Sequence, residues 1–146
     1  MIEVSAKGEK AEEVAWRAYD LMADQQALRT TTSDIRIEAE EGRLSLMGRV
    51  RTNLLSEMAE RLAKAAANGW QLENHLLSDQ ALAQALALKI GMDSRTASAN
   101  VRFEVFLGAA YLKGVVHSQE QRSAVLELAA QVPGVVKVQD NLAVIA

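Results

Sequence analysis

A chain of 146 residues has room for one ordinary domain or two small ones, and 49% hydrophobic against 24% charged residues is a globular composition that excludes a disordered chain. A net charge of −3, with 10 Lys/Arg against 13 Asp/Glu in residues 1–76 and 6 against 6 in 77–146, argues against a basic nucleic-acid domain and a polybasic membrane patch. There is no cysteine, which excludes disulfide and thiolate chemistry, and no apolar run reaches the ~20 residues of a membrane span.

Residues 1–8 lack the apolar core of a secretory signal. The expected location is cytoplasmic if the chain is complete and periplasmic if a leader has been removed. A helix is predicted over 9–28, where Val14, Ala18, Leu21 and Leu28 recur at helical spacing and Glu9, Glu12 and Glu13 suit its N-terminal dipole. Trp16 and Tyr19 lie one turn apart beside that stripe and are read as covering the edge of the core. Thr30–Ser33 then ends the helix through competing side-chain hydrogen bonds. A β-hairpin follows, with Ile35, Ile37, Ala39, Leu44, Leu46 and Val50 facing the core and a charged outer face between them. On that face Glu38 and Glu40 offset the basic row of Arg43, Arg49 and Arg51. A second helix over 53–67 stops at Asn68-Gly69, and Trp70 and Leu72 open a third strand.

The second half begins with a helix over 79–92 that is apolar nearly all round, with Leu82, Leu86, Leu88, Ile90 and Met92 among its residues and Ser78 or Asp79 as its cap. A second hairpin alternates Val101, Phe103 and Val105 with Arg102, Glu104 and Phe106, turns at Gly108, and returns through Ala110, Leu112 and Val116. A capping box, Ser118-Gln-Glu-Gln121, starts a helix that runs to about 132. Pro133-Gly134 stops it, and a last strand spans 135–144.

The two halves are copies of one unit. An offset of 66 residues sets Gly42 on Gly108, Gly48 on Gly114, Arg36 on Arg102, Glu38 on Glu104, Leu46 on Leu112 and Leu62 on Leu128, without a gap. Matches spread over two strands and a helix at one spacing indicate a tandem duplication. Each unit is near the lower size limit for folding alone. The expected fold is α+β: two tandem αββαβ units, at 9–76 and 78–146, each a three-stranded mixed sheet with two helices packed on one face.

The inventory for catalysis is poor. His75 and His117 stand at strand ends with no cysteine and no carboxylate spacing suited to a metal site. Glu38 and Glu104 each lie beside an arginine on an outer face, which an ion pair explains better than acid–base work. Gly42, Gly48, Gly108, Gly114 and Gly134 are read as turn and strand glycines rather than a phosphate loop. For Gly48 and Gly114 the expected reason is a collision between a side chain and a neighbouring helix. No catalytic residue, cofactor or metal is expected.

The second repeat resembles the BON domain, a small αββαβ module of bacterial envelope and osmotic-stress proteins. The resemblance rests on Gly108, Tyr111-Leu-Lys-Gly114-Val-Val116, and the closing Pro133-Gly134-Val-Val-Lys-Val138-Gln-Asp-Asn141-Leu142. There Asn141 follows Val138 at a spacing of three, one more than the common form, and a β-bulge would account for it. In the first repeat Gly42 and Leu44-Ser-Leu46-Met-Gly48-Arg-Val50 fit, while Gly69-Trp-Gln-Leu replaces the usual Gly-Val. The resemblance covers nearly the whole chain and implies binding, often of phospholipid or other envelope components, with no catalytic residues.

The second repeat carries apolar residues where the first keeps charges, so function is placed there. The candidate surfaces are an outer sheet patch of Phe106, Tyr111, Val115 and Val135, and the helix with Leu82, Leu86, Leu88, Ile90 and Met92. The expected function is a non-enzymatic binding module contacting phospholipid or an envelope protein through the second repeat. The alternative is a structural or assembly protein that forms a homo-oligomer through the same surface with no small ligand. Nucleic acid is disfavoured, because no Gly-x-x-Gly loop joins two helices and the charge balance is acidic.

Overall fold

Alternating apolar and polar residues become strands in both halves of the chain in the computed structural model, which describes residues 1–145. The chain divides into two compact units, Met1–Ser78 and Asp79–Ala146, here called unit 1 and unit 2. Unit 1 holds β1 (Ile2–Ala6), α1 (Glu9–Asp24), α2 (Gln26–Thr30), β2 (Asp34–Glu40), β3 (Arg43–Val50), α3 (Asn53–Ala66), β4 (Gln71–Asn74) and β5 (Leu77–Ser78). Unit 2 holds α4 (Asp79–Met92), β6 (Asn100–Phe106), β7 (Ala109–Val116), α5 (Gln119–Gln131) and β8 (Lys137–Val144).

Both sheets are mixed. The hairpins β2–β3 and β6–β7 are antiparallel, while β4 and β8 return parallel to β3 and β7 after a helix. Unit 2 is the expected three-stranded sheet, β6-β7-β8. Unit 1 departs from it and has five strands: β1 adds parallel to β2, and the short β5 pairs with β3 beyond β4. The reason for β1 is its own pattern, since Ile2, Val4 and Ala6 alternate with Glu3 and Ser5 and pack against the core beside Ile35, Ile37 and Ala39. The predicted first helix also breaks early. Gln25 takes extended backbone angles (φ −80°, ψ 120°), and Leu28 reaches the core from the separate turn of α2.

Each core lies between one face of a sheet and its two long helices. In unit 1, Ala11, Ala15 and Ala18 of α1 and Ala59 and Ala63 of α3 are buried, so small side chains let the helices lie close to each other and to Ile35, Ile37, Leu44 and Leu46. In unit 2 the core is Leu82, Leu86 and Ile90 of α4, Leu112 and Val116 of β7, and Val125, Leu128 and Ala129 of α5. Leu128 keeps 6% of its surface exposed, so its site can relax in part. Leu128→Ala is therefore expected to cost about 2–3 kcal/mol, the lower part of the range for buried leucines, in urea unfolding followed by circular dichroism.

The helix ends follow their local chemistry. Thr52 caps α3 by accepting from the Leu55 N–H at 3.2 Å, and Ser118 caps α5 by accepting from the Gln121 N–H at 3.0 Å. The Gln121 side chain accepts from the His117 N–H at 2.8 Å and donates to the Arg95 carbonyl and the Ser98 hydroxyl. It thus ties the α4–β6 loop to the start of α5. Thr96, 1% exposed, closes the same loop by donating to the Ile90 carbonyl at 2.6 Å.

Gly48 and Gly114 are required for a reason other than the expected one. Their φ values are 113° and 135°, and a Cβ would fall 1.9 Å from the Asp34 carbonyl oxygen or 2.0 Å from that of Asn100. The obstacle is the backbone of the adjacent strand, not a helix. Gly42 (φ 84°) and Gly108 (φ 87°) occupy the equivalent hairpin turns, and Gly134 (φ 97°) the turn before β8.

A polar tie between the second helix and the last strand recurs in both units. In unit 1, Asn74 donates to the Ser56 hydroxyl at 3.1 Å and accepts from the Leu76 N–H at 3.0 Å. In unit 2 the same offset gives Asp140, which pairs with Arg122 and accepts from the Leu142 N–H at 3.0 Å. Register from Ala109↔Lys137 to Val116↔Val144 is unbroken, so the odd spacing in the closing motif is not a bulge. Instead Asp140 sits on the inner face with its carboxylate held by the helix. Burial pushes the Asp140 carboxyl up, but the Leu142 N–H and the Arg122 guanidinium outweigh it and hold its pKa below the ordinary value. A lowered folded-state pKa contributes stability above the unfolded value, near ~3.9, that is lost as pH falls through the folded value. The stability gap between the native chain and Asp140→Asn is thus expected to be full at pH 6 and to close progressively below about pH 4.

Candidate interaction surface

The outer face of each sheet carries no helix, and the register decides what it presents. In unit 1 the rows are Glu3–Arg36–Met47, Ser5–Glu38–Ser45–Glu73, Glu40–Arg43–Gln71 and Asp34–Arg49–Leu77, the last with Leu77 40% exposed. Toward the turn end the charges are paired: Arg36 with Glu38 at 3.0 Å, Arg43 with Glu40 at 3.2 Å and with Glu73 at 3.7 Å, and Lys7 with Glu40 at 3.6 Å, whereas at the far end Arg49 Nη1 has no partner among the described residues. Of the expected offset of Arg43, Arg49 and Arg51 by Glu38 and Glu40, the Arg43–Glu40 pair is present, while Glu38 pairs with Arg36 instead and Arg49 receives neither carboxylate. The paired side chains are about half exposed, so the pairs contribute little stability each. They make the turn end of the face wet and paired within itself.

Unit 2 presents Phe106–Ala109–Lys137, then Glu104–Tyr111–Gln139, then Arg102–Lys113–Asn141, then Asn100–Val115–Ala143. Phe106 is 42% and Tyr111 38% exposed, on neighbouring rows near the β6–β7 turn. Val115 is only partly exposed, and the row of Arg102 and Lys113 separates it from Tyr111, so the contiguous patch expected from alternation is interrupted by charge. Val135 is also displaced from that patch. Its N–H turns back to the Val132 carbonyl, its side chain packs against the core, and β8 starts only at Lys137. Val136 takes its place at the surface, 67% exposed, with its N–H on the Gly108 carbonyl at 2.9 Å. The exposed apolar residues of the outer face at the turn end are therefore Phe106 and Tyr111, and Val136 is exposed just before β8, outside the paired rows. Sequence reading missed Val136 because one residue of turn geometry decides which of two adjacent valines faces out.

The helix candidates divide. Leu82, Leu86 and Ile90 are 5%, 0% and 4% exposed and belong to the core of unit 2, which corrects their assignment as a contact surface. Spacings of four place them on one stripe toward the sheet. Leu88 and Met92 stand on the other side, 62% and 82% exposed.

The hairpin turn itself is held by a buried acid. Asp79, 4% exposed and expected only as a helix cap, accepts the Leu107 N–H at 2.8 Å and the Gly108 N–H at 3.1 Å. Leu107 has φ 45°, a left-handed conformation that costs a non-glycine residue energy, and the carboxylate stabilises it by fixing two successive N–H groups. Position 13 is the offset counterpart in unit 1. There Glu13 pairs with Arg17 on the surface instead. No local signal in the sequence marks this use of Asp79, because its partners lie 28 and 29 residues away.

Among the described residues no cluster of three His, Cys, Asp or Glu is placed to hold a metal ion, and no helix is long and apolar enough to cross a membrane. His75 contacts Glu73 at 3.0 Å in an exposed pair.

Two αββαβ units with both helices on one side of a mixed sheet define the fold class. The signature of the BON domain matches residues 17–77 and again 78–146. The chain belongs to the BON domain family and carries the domain twice. No match was found among curated proteins. Similar solved structures come from the type III secretion system of Chlamydia trachomatis. The C-terminal domain of its structural protein CdsD superposes with a TM-score of 0.67 at 17% identity, over 92% of this chain and 67% of that one. A further CdsD structure gives 0.69 at 16% identity, over 92% and 63%. The chain thus spans about two thirds of those chains, and at such identity the likeness is one of fold.

Proposed function

We propose that this chain is a non-enzymatic binding module whose second unit meets phospholipid or an envelope protein through the turn end of its outer sheet face. The observation that carries this reading is an asymmetry between duplicated surfaces. At the turn end of its outer face unit 1 presents paired charges, whereas unit 2 exposes Phe106 and Tyr111 there, with Val136 exposed just before the start of β8. Exposed apolar groups of this kind mark contact sites. An assembly role is the second reading, favoured by the fold shared with a structural protein of a secretion system.

Flotation with vesicles of phosphatidylethanolamine and phosphatidylglycerol separates the two readings. For lipid contact, the native chain floats, and the double change Tyr111→Ser with Val136→Lys abolishes flotation without lowering Tm. No flotation, with sedimentation that depends on concentration and on the same two residues, assigns the surface to assembly. If neither behaviour depends on Tyr111 and Val136, this face is not the functional one.

A further inference from the structure

The repeats differ at one sheet edge. In unit 1 the outer edge of β2 is filled by β1, which takes the Ile35 N–H on the Met1 carbonyl and gives the Lys7 N–H to the Ala39 carbonyl. Ile35 and Ile37 are consequently 0% exposed. In unit 2 the equivalent strand, β6, pairs among the described residues with β7 alone. Its core-facing Val101 and Phe103 are left partly exposed, and Arg102 and Glu104 are exposed. A two-residue hairpin turn makes Phe106 and Ala109 a hydrogen-bonded pair, so Val101, Phe103 and Val105 point their N–H and C=O groups away from β7. That agrees with Ile35 and Ala39, their counterparts in unit 1. The other edge of unit 2 is blunted, because the Asp140 carboxylate already takes the outward N–H of Leu142.

We propose that the β6 edge pairs antiparallel with β6 of a second copy of this chain, about a two-fold axis at Phe103. This edge is self-complementary. Setting Phe103 against its own copy opposes Val101 with Val105 and Arg102 with Glu104, each twice by symmetry. All three outward N–H groups and all three carbonyls of each strand then find partners. Phe103 meets Phe103 on the core side, where an aromatic cross-strand pair is favourable, and opposite charges meet on the outer side. Arg102 and Glu104 make no ion pair among the described residues, whereas their counterparts Arg36 and Glu38 are paired with each other at 3.0 Å. The charges are therefore available where the second copy needs them. This proposal concerns the strand edge and does not depend on the outer-face contact at Tyr111 and Val136.

Sedimentation of the full chain from about 1 µM to 1 mM, with residue-resolved amide exchange, tests it. The native chain is expected to dimerise, with the Val101, Phe103 and Val105 amides protected at high concentration and exchanging quickly at low. Arg102→Glu or Glu104→Arg alone places like charges opposite each other twice and should weaken the dimer about tenfold or more. The double change R102E/E104R should restore it, and so should an equimolar mixture of the two single variants. Both positions are exposed, so folding is preserved, and circular dichroism verifies that. A chain that stays monomeric at 1 mM, or single variants that associate like the native chain, would overturn the proposal. So would self-association lost in the Tyr111→Ser, Val136→Lys variant but insensitive to the charge swap, which would place the contact on the face instead.

Discussion

Gly114→Ala is expected to destabilise unit 2 by about 3–5 kcal/mol, more than most single core truncations. Two costs combine. A residue with a Cβ resists φ 135°, and the Cβ would lie 2.0 Å from the Asn100 carbonyl oxygen, with its carbon at 3.1 Å and the Val101 Cα at 3.2 Å. These are backbone atoms, so relief requires β6 and β7 to separate, and separation strains the ladder bonds of the flanking Asn100↔Val115 and Arg102↔Lys113 pairs. Gly48→Ala should behave alike in unit 1, where the Asp34 oxygen is 1.9 Å away. Trp16 and Trp70 both lie in unit 1, so their emission follows the Gly48 variant, and circular dichroism follows the Gly114 variant. A loss below about 1 kcal/mol in either urea series would show that the strands have slack at this pair.

Asp79→Ala should cost about 3–5 kcal/mol, because two hydrogen bonds to a charged acceptor are lost from a buried site. The change also leaves Leu107 at φ 45° without the groups that hold it there. Leu107→Gly supplies the control. Glycine takes that conformation freely, so Leu107→Gly in the Asp79→Ala background should recover part of the loss. Additive losses in the double variant would mean that Asp79 acts through other contacts and not through the turn.

Most of the fold was legible because its signals are local. Ile35, Ile37 and Ala39 alternate within one strand, Ser118 and Gln121 cap within one turn, and the offset of 66 carries each inference to the other unit. What escaped depends on partners far away in sequence. The stretch Ile2–Ala6 alternates visibly, yet five residues at a chain end become strand only because β2 offers an edge more than thirty positions on. The candidate surface was half legible for the same reason. Alternation places Phe106, Tyr111 and Val115 on one face, but only the cross-strand register reveals that Arg102 and Lys113 lie between Tyr111 and Val115. The apolar helix α4 misled because composition does not say which side is covered. Leu82, Leu86 and Ile90 are core, and Leu88 and Met92 are not.

The repeated tie between second helix and last strand sets a rule for how these modules can exchange parts. Ser56 with Asn74 and Arg122 with Asp140 do the same job in two incompatible chemistries. Grafting the β8 sequence alone into unit 1 would set a carboxylate opposite a serine hydroxyl, leaving a partly buried negative charge without its cation. Grafting α5 alone would bring an arginine to an amide that cannot neutralise it. Helix and strand must therefore travel together in any recombination between copies. A duplicated gene that drifts at one of these positions is committed to drift at the other, so the two halves cannot be homogenised one segment at a time.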